Sequence, residues 1–570
     1  MAQKRVVTVR QNDRFSGAAR GAALLGACLA AFTADTRAQV VKHPIATDPT
    51  RIDTGLVAGA QLSSGVRAYF GIPYAAPPLR ALRWSEPQPA NSWSGIYNAD
   101  RKAPECIQNL RRHDINHYFG EEATSEDCLY LNVWVPPRAS EDSHTAQKHP
   151  VIVWIYGGGF TIGSSAMAIY DGEGLARKGV VFVSFNYRLG VLGFMAHPEL
   201  TAETPRKASG NYGFLDQVAA LNWVRRNIAA FSGDADNVTI MGQSAGSMSV
   251  FSLQASSLTR GLFQRAVGMS GGPGLGPEAA SLASGEQLGM RYQKALKAAT
   301  LAELRQLPAD RILAIQNACA AGACGDAFLA RPLVDGYFLS QAALEVFKAG
   351  RQRDVPLLVG FTHDESWNEL LTARTREQFR DISLRLYGDR SEEFLRLYAP
   401  SDDSAVKDVA ADAVRDGGMA SAMRVWGRAQ RGTGKSRVYM YVFSHVHPYA
   451  PGITFSDLDP ATAGAYHASE IPFFLETLDA LNLFRTTRAW RDDDRRLSDE
   501  MSDCIVKFAW TGDPATARVP WPAYEPTDER IVEFGDSIRV ATLDTARMNF
   551  MSSAHTQFSV GAPALQRRAD

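Results

Sequence analysis

The sequence predicts an α/β fold in which a mostly parallel sheet is covered by helices on both faces. Short runs rich in β-branched and aromatic residues, bounded by turn residues, recur at 129–136, 151–156, 179–188 and 237–242. Between the last two runs lies the segment 210–231, whose apolar residues repeat at helical spacing. Nearly continuous apolar strands that alternate with amphipathic helices are typical of parallel sheets, because each crossover places a helix against the sheet.

The remaining elements follow from the same signals. The predicted helix in 210–231 is indicated by apolar residues three and four apart, and the turn-forming segment SGDAD ends it; these residues are Leu215, Val218, Ala219, Leu221 and Val224. The runs 354–361 and 436–444 repeat the strand type. Cys504 lies in SDCIVKFAW, which we expect to be an amphipathic helix.

Length and composition restrict the function classes. The 570 residues are 45% hydrophobic and 21% charged, which is typical of globular proteins and excludes disordered and fibrous classes. Since 60 Lys+Arg face 61 Asp+Glu, the chain lacks the basic excess expected of a nucleic-acid-binding protein. Length alone suggests three or four domains of about 150 residues each.

The first 38 residues resemble a secretory signal peptide. Five basic side chains against one acidic side chain precede an uncharged apolar run, Gly21–Ala34, and small residues surround a possible cleavage point after Ala38. We therefore expect a secreted or periplasmic protein. A lipid anchor on Cys28 is the alternative, because Leu25-Gly26-Ala27-Cys28 loosely resembles a lipobox. No later run reaches about 18 apolar residues, so no membrane span is expected in the mature chain.

Five cysteines follow this segment, so at least one is not in an intramolecular disulfide. A disulfide between Cys106 and Cys128 would stabilise an otherwise polar loop, and one between Cys319 and Cys324 would close a tight turn. Neither pair has further ligands at metal-binding spacing, so we expect no metal.

The Gly-x-Ser-x-Gly pattern occurs twice, around Ser244 and around Ser270. Ser244 follows a predicted strand and precedes a helix-compatible segment, as a nucleophile elbow requires. Ser270 is followed by GGPGLGP, where no helix can begin promptly, so we expect it to play a structural or supporting role. The pattern therefore favours Ser244 as a nucleophile.

A run of three glycines, Gly157–Gly159, follows the strand 151–156 directly. Glycines allow the backbone to approach a ligand closely and to direct its N–H groups at it. We expect the N–H groups of Gly158, Gly159 and Ala245 to form an oxyanion hole, in which each donor contributes about 3 kcal/mol to transition-state binding.

Several long motifs, in the same order along the chain, resemble type-B carboxylesterases of the cholinesterase-like α/β-hydrolase family. They are YFGIPYAAPP (69–78), EDCLYLNV (126–133), WIYGGGF (154–160), the block from Gly210 to Gly246, and FAWTGDP (508–514). The resemblance implies one α/β-hydrolase domain, 39–570, with inserted helices and loops around an active-site gorge. It also implies a disulfide between Cys106 and Cys128 and a supporting role for Ser270.

The resemblance also implies the other two members of a catalytic triad. The segment GFTHDES matches the family's acid segment at Glu365, with Asp364 as the nearest rival. The segment YHASEIP matches the histidine segment at His467, and His363 is the principal competing histidine. Such a triad hydrolyses esters through an acyl-enzyme and requires no cofactor.

Two departures from the cholinesterase pattern affect substrate choice. The loop between Cys106 and Cys128 has no Trp, only Tyr118 and Phe119, and Gln243 replaces the Glu that precedes the nucleophile. Both changes remove features that favour a cationic substrate.

We therefore expect a serine carboxylesterase that acts on small neutral esters over a broad range. A lipase that acts on long acyl chains is the alternative within enzymes, and a non-catalytic cholinesterase-like binding protein is the alternative outside them. The oligomeric state stays open.

Overall fold

A twelve-stranded mixed sheet lies at the centre of the fold. The computed structural model describes residues 49–116, 122–138, 148–274 and 280–554, together with the backbone of 43–44 and 559–560. These residues belong to one compact unit, Val40–Asp570. The expected leader 1–38, with Cys28, lies outside the described residues.

The strands of this sheet are numbered here in chain order. They are β1 His43–Pro44, β2 Ala60–Gln61, β3 Arg67–Pro73, β4 Tyr130–Val135, β5 His149–Ile155, β6 Val181–Phe185, β7 Gly233–Gln243, β8 Arg265–Met269, β9 Leu357–Thr362, β10 Val438–Phe443, β11 Arg530–Phe534 and β12 Ile538–Thr542. Their order across the sheet is β1-β2-β3-β4-β6-β5-β7-β8-β9-β10-β11-β12.

The seven strands from β6 to β11 in this order are parallel, and the outer strands are antiparallel. The expected parallel core is therefore present, although β4, predicted from the same apolar pattern, pairs antiparallel with both neighbours. The chain passes from β5 to β6 on one side and then returns past β5 to β7, so the winding direction changes between β5 and β7. In open α/β sheets, ligand sites lie beyond the carboxyl ends of the strands at such a switch point.

Helices cover the sheet and fill the connections. They are α1 Glu173–Arg177, α2 Gly190–Phe194, α3 Pro198–Glu203, α4 Tyr212–Asn227, α5 Ala245–Ala255, α6 Leu282–Leu296, α7 Leu301–Gln306, α8 Ala309–Ala320, α9 Ala343–Lys348, α10 Arg376–Tyr387, α11 Ser391–Leu397, α12 Val406–Arg415, α13 Ser421–Thr433, α14 Ile471–Phe474, α15 Asp492–Thr511 and α16 Thr545–Ser553. The predicted helix in 210–231 is α4, and Cys504 lies on α15, where its side chain is buried.

Smaller elements complete the described fold. Short strands outside the main sheet are Thr50–Ile52, Gly55–Ala58, Ile96–Asn98, Glu105–Cys106, Thr124–Ser125, Ala280–Ser281, Leu333–Val334, Ser366–Trp367 and Ser559–Val560. Short 3₁₀ helices are Arg80–Leu82, Ala168–Tyr170, Ile228–Phe231, Ser257–Thr259, Glu369–Thr372, Gly388–Arg390, Asp403–Ala405 and Leu478–Asn482, and a π-helical turn, Asp416–Ala420, joins α12 to α13.

Two hydrophobic cores stabilise these layers. The larger core surrounds the sheet. The smaller one lies within the helical insertion after β9, where Phe379, Phe394 and Val406 pack with Phe550 of α16. Within the described part of the chain, every helix is too short or too polar to cross a bilayer.

Candidate active site

Ser244 stands between the end of β7 and the first residue of α5. Its backbone has φ 57° and ψ −124°, a conformation that non-glycine residues rarely adopt outside strained functional turns. Two hydrogen bonds hold this turn: Ser244 N–H donates to Met269 O at 2.8 Å, and Met248 N–H donates to Ser244 O at 2.9 Å. The hydroxyl, which is partly exposed, makes no hydrogen bond with a described residue, so it is accessible to a ligand.

The two glycines beside Ser244 are required by close packing. A Cβ on Gly246 would lie 1.9 Å from Ile155 O, and a Cβ on Gly242 would lie 2.4 Å from Gly246 O. Both contacts involve backbone atoms, which cannot move aside as a flexible side chain can. The strand–turn–helix predicted from the sequence around Ser244 is therefore present, and its glycines allow β7, α5 and β5 to pack together.

The triple-glycine segment lies directly beside this turn, at the end of β5. A Cβ on Gly157 would come within 2.8 Å of Ser244 Cβ, and one on Gly158 would lie 2.1 Å from Ile162 O. Gly158 and Gly159 have φ values of 107° and 61°. Among the described residues, their amide N–H groups have no acceptor. The N–H of Ala245 lies in the first turn of α5, where no intrahelical acceptor exists. The three expected oxyanion donors thus belong to two segments next to the serine turn, and among the described residues their N–H groups have no backbone acceptor.

His467 makes one hydrogen bond through each ring nitrogen. Its Nδ1 donates to Glu365 Oε2 at 2.5 Å, and its Nε2 accepts from the side-chain amide of Gln243 at 3.2 Å. A carboxylate can only accept and an amide nitrogen can only donate, so the partners select the tautomer with the proton on Nδ1. This is the tautomer that a general base needs, since Nε2 keeps its lone pair.

In this structure Gln243, rather than Ser244, occupies the hydrogen-bonding position at Nε2. Bonds between a nucleophile and its base are often absent before substrate binds, so this geometry is compatible with the expected triad. Gln243 is 3% exposed. The sequence predicts a supporting position for Gln243 beside the nucleophile, and the structure adds its bond to the base.

Glu365 follows β9 and is held by three donors. Besides the bond to His467, its Oε1 accepts from Thr362 N–H at 2.7 Å and from the Ser270 hydroxyl at 3.0 Å. Ser270 directly follows β8 and has φ 51°, and no helix follows it in the described segment up to residue 274. The second Gly-x-Ser-x-Gly match therefore lies behind the acid rather than at an elbow.

Glu470 is a residue that the sequence reasoning missed. It is fully buried, its Oε1 lies 3.4 Å from the Ser270 hydroxyl, and its Oε2 has no partner among the described residues. Burial, together with the nearby charge of Glu365, raises the pKa of Glu470 well above its usual value. A protonated Glu470 can donate to Ser270, which in turn donates to Glu365. The one available signal was its position three residues after His467 in an otherwise uncharged segment.

The rival residues in the acid segment have other partners. Asp364 accepts from His363 Nδ1 at 2.9 Å and from Ala465 N–H at 2.8 Å. Although burial acts in the opposite direction, the bond from His363 lowers the pKa of Asp364. His363 Nε2 accepts from Arg415 of α12 at 2.9 Å. This pair therefore connects the acid segment to the helical insertion and to the segment before His467.

The loop that carries His467 is supported by a second polar cluster. His447 Nε2 donates to Ser469 O at 2.8 Å, and its Nδ1 lies 3.1 Å from both Tyr466 Oη and Arg488 Nε. Arg488 is 1% exposed. Ala468, next to His467, has φ 74°, so these contacts hold a strained turn in place.

Two disulfides join the cysteines as paired in the sequence analysis. Cys106 and Cys128 are bonded with Cα atoms 5.0 Å apart, and Cys319 and Cys324 with Cα atoms 4.8 Å apart. Tyr118 and Phe119, in the first loop, lie outside the described residues. Among the described residues, no group of three or more His, Cys, Asp or Glu side chains is arranged to hold a metal ion.

Comparisons with known proteins identify the family of this chain. Residues 47–551 match the sequence model of the carboxylesterase family. Fumonisin B1 esterase of Sphingopyxis macrogoltabida is 34% identical over 90% of this chain and 92% of its own length. Para-nitrobenzyl esterase of Bacillus subtilis is 32% identical over 82% of this chain and 91% of its own. A solved PNB esterase structure superposes with a TM-score of 0.71 at 29% identity, covering 88% of this chain and 99% of that one. The chain therefore belongs to the carboxylesterase family, has the α/β-hydrolase fold and is a carboxylic ester hydrolase.

Proposed function

We propose that this enzyme hydrolyses esters by a serine mechanism with Ser244 as nucleophile, His467 as general base and Glu365 as the orienting acid. The observation that carries the proposal is the convergence, at the ends of β5, β7 and β9, of three features. They are a strained serine, an imidazole with its lone pair on Nε2, and a group of backbone N–H donors without acceptors. Catalysis by this arrangement needs no cofactor.

In the first half-reaction, Ser244 Oγ attacks the ester carbonyl while His467 Nε2 takes the hydroxyl proton. This step requires the Gln243 amide to leave Nε2. The negative charge that forms on the carbonyl oxygen is stabilised by the N–H groups of Gly158, Gly159 and Ala245. His467 then gives its proton to the departing alcohol. In the second half-reaction, water attacks the acyl-enzyme in the same manner and releases the carboxylic acid.

For the substrate, we propose neutral esters of varied shape. The uncharged Gln243 amide at the imidazole offers no carboxylate to a cationic alcohol group. Relatives named for fumonisin B1 and for a para-nitrobenzyl ester point to chemically diverse substrates within the family. A lipase-type preference for long acyl chains is the second candidate.

Hydrolysis of p-nitrophenyl esters from acetate to palmitate tests both statements. We expect wild type to cleave the short esters best and Ser244→Ala to lose activity by about 10⁴-fold or more. Ser270→Ala is the matched comparison, because this serine has the same motif but its hydroxyl lies against the acid and Glu470, so we expect a much smaller loss than in Ser244→Ala. Retained activity in Ser244→Ala would refute the mechanism. Rates that rise with chain length would establish the lipase preference, and a folded wild type without activity on any ester would favour a binding protein.

We also propose that residues 1–38 direct export and that 39–570 form the single mature domain. The apolar run with its basic flank supports export, as do the two disulfides, since disulfides persist in oxidising compartments. Attachment through a lipid on Cys28 remains the competing form of export.

A further inference from the structure

A cavity of about 420 Å³ opens at the far end of α5, away from Ser244. The helix begins next to the serine and ends at Ala255, which lines the cavity. At 1.5 Å per residue, the eleven residues of α5 separate the two places by about 16 Å. The cavity is therefore separate from the candidate active site.

All charged side chains that line this cavity are positive. Arg260, Arg351 and Arg353 line it, and no Asp or Glu does. Within the described residues, none of these three guanidinium groups forms an ion pair or donates a side-chain hydrogen bond. Asp354, the acid adjacent in sequence, is occupied elsewhere, since it accepts from the backbone N–H groups of Lys435 and Ser436.

Arg260 and Arg351 are exposed and Arg353 is half-buried, whereas two buried arginines elsewhere in the chain are paired with acids. Arg188 donates to Asp216 at 2.7 and 2.8 Å, and Arg83 donates to Glu126 at 2.5 and 2.6 Å. The whole chain has nearly equal numbers of basic and acidic residues, so acids were available to pair with the three arginines. The three arginines therefore concentrate positive charge around one cavity with no acid among its lining residues.

Helix capping does not account for the three arginines at this cavity. The carboxyl ends of α5 and α9 lie at this cavity and favour nearby cations. However, none of the three guanidinium groups donates to a terminal carbonyl of either helix, so their N–H groups stay available. The cations also disfavour one another, because burial and the charge of Arg260 both lower the pKa of Arg353. A bound anion would relieve both costs.

The rest of the lining fits a small polar ligand. Ser257 and Ser340 add hydroxyl groups, and the buried side chains of Phe338 and Val346 provide an apolar surface. Gln352 also lines the cavity, and its amide nitrogen already donates to Gln430 and Thr433, so the donors left for a ligand are the guanidinium and hydroxyl groups.

We propose that this cavity is a binding site for small molecules that carry two or more oxyanion groups, either carboxylates or phosphates. Arginine suits this chemistry because its planar fork of N–H donors matches both groups. The volume is within the range of small-ligand pockets, and its concave shape distinguishes it from a surface for a polyanionic polymer.

Calorimetric titration of the intact protein with citrate and with inorganic pyrophosphate tests the proposal. We expect saturable one-to-one binding of at least one of them and none of triethyl citrate, the uncharged analogue. Arg353→Gln and Arg260→Gln should each weaken binding about tenfold, as expected for a lost charge-assisted hydrogen bond. The control is Arg539→Gln, which removes an exposed arginine on β12 and should leave affinity unchanged. Binding of citrate alone assigns the site to carboxylates, and binding of pyrophosphate alone assigns it to phosphates.

Two further measurements check that the anion binds at this cavity and not at the candidate active site. Ser340→Asp places a carboxylate among the arginines, so it should abolish binding while raising the melting temperature. The anion should leave the KM for a neutral p-nitrophenyl ester unchanged, because the cavity lies away from Ser244. The proposal fails if neither anion saturates, if triethyl citrate binds equally well, if Arg539→Gln weakens binding as much as Arg353→Gln does, or if the anion competes with the ester.

Discussion

The imidazole of His467 lies between a carboxylate on one side and a neutral amide on the other. Glu365 accepts from Nδ1, while Gln243 donates to Nε2 and satisfies the lone pair that Ser244 needs during catalysis. In the resting enzyme, Gln243 therefore occupies the position at Nε2 that the serine hydroxyl must take. Its bond must break when the serine is activated, and the residue at this position should influence both the protonation of the base and the charge of the preferred substrate.

Replacing Gln243 with Glu tests this. A carboxylate next to Nε2 stabilises the protonated imidazole, so we expect the acidic limb of the kcat/KM profile to move about one pH unit upward. The same charge should improve kcat/KM for a cationic choline ester relative to a neutral ester of similar size. Gln243→Met, which removes the amide without adding charge, is the control and should leave the limb in place. An unchanged limb in Gln243→Glu would mean that this side chain does not contact the base in solution.

Glu470 allows a second prediction at this scale, on stability. Its pKa is raised in the folded protein, so the folded state binds a proton that the unfolded state releases as pH rises above the ordinary carboxyl range. The folded state is therefore destabilised with increasing pH by this group. Glu470→Gln removes the effect. The melting temperature of the variant minus that of wild type should therefore be about 3 °C higher at about pH 8 than at about pH 5.

Thermal melts at the two pH values measure this difference. Glu377→Gln, on the exposed face of α10, serves as the control and should show no such pH dependence. A Glu470→Gln difference that is constant with pH would mean that Glu470 is ionised in both states.

At the scale of elements, the sequence predicted the strands, the helix and the turn whose residues carry their own local pattern. The strands β5, β7, β9 and β10 and the helix α4 were predicted because each has its own apolar periodicity. Ser244 was predicted as the nucleophile instead of Ser270 because only Ser244 is followed by residues that can begin a helix. These signals require no knowledge of distant contacts.

Features determined by distant contacts were not predicted from residue patterns. The antiparallel pairing of β4 depends on its neighbours β3 and β6, which its own apolar pattern does not identify. His467 was selected only through the family resemblance, because its contacts with Glu365 and Gln243 join segments more than 100 residues apart. Glu470 was missed for the same reason, since its burial and its contact with Ser270 arise only from packing.

The two disulfides should differ in their effect on stability. In the loop-entropy description, the bond across 22 residues, Cys106–Cys128, contributes about 3 kcal/mol, and the bond across five residues, Cys319–Cys324, about 2 kcal/mol. We therefore expect the double alanine variant of the first pair to melt at a lower temperature than that of the second. Melting scans under non-reducing conditions measure this, with Cys504→Ala as the single-cysteine control. The opposite order would mean that native contacts, rather than loop length, dominate.

At the scale of the whole molecule, the charge balance depends on whether residues 1–38 are removed. They hold six Lys+Arg and two Asp, so the remaining chain carries 54 Lys+Arg against 59 Asp+Glu, a formal net charge of −5 instead of −1. If export removes them, the mature enzyme should focus below the isoelectric point of about 6.8 calculated for the full chain, and its mass should fall below 62.1 kDa. Isoelectric focusing and intact mass of the protein recovered from the periplasm or medium test this. A product with the full mass and an isoelectric point near 6.8 would contradict cleavage.

A lipid anchor on Cys28 is tested separately. If the protein is found in the membrane fraction and Cys28→Ser releases it, the lipid anchor is established, because this substitution removes the thiol that carries the lipid.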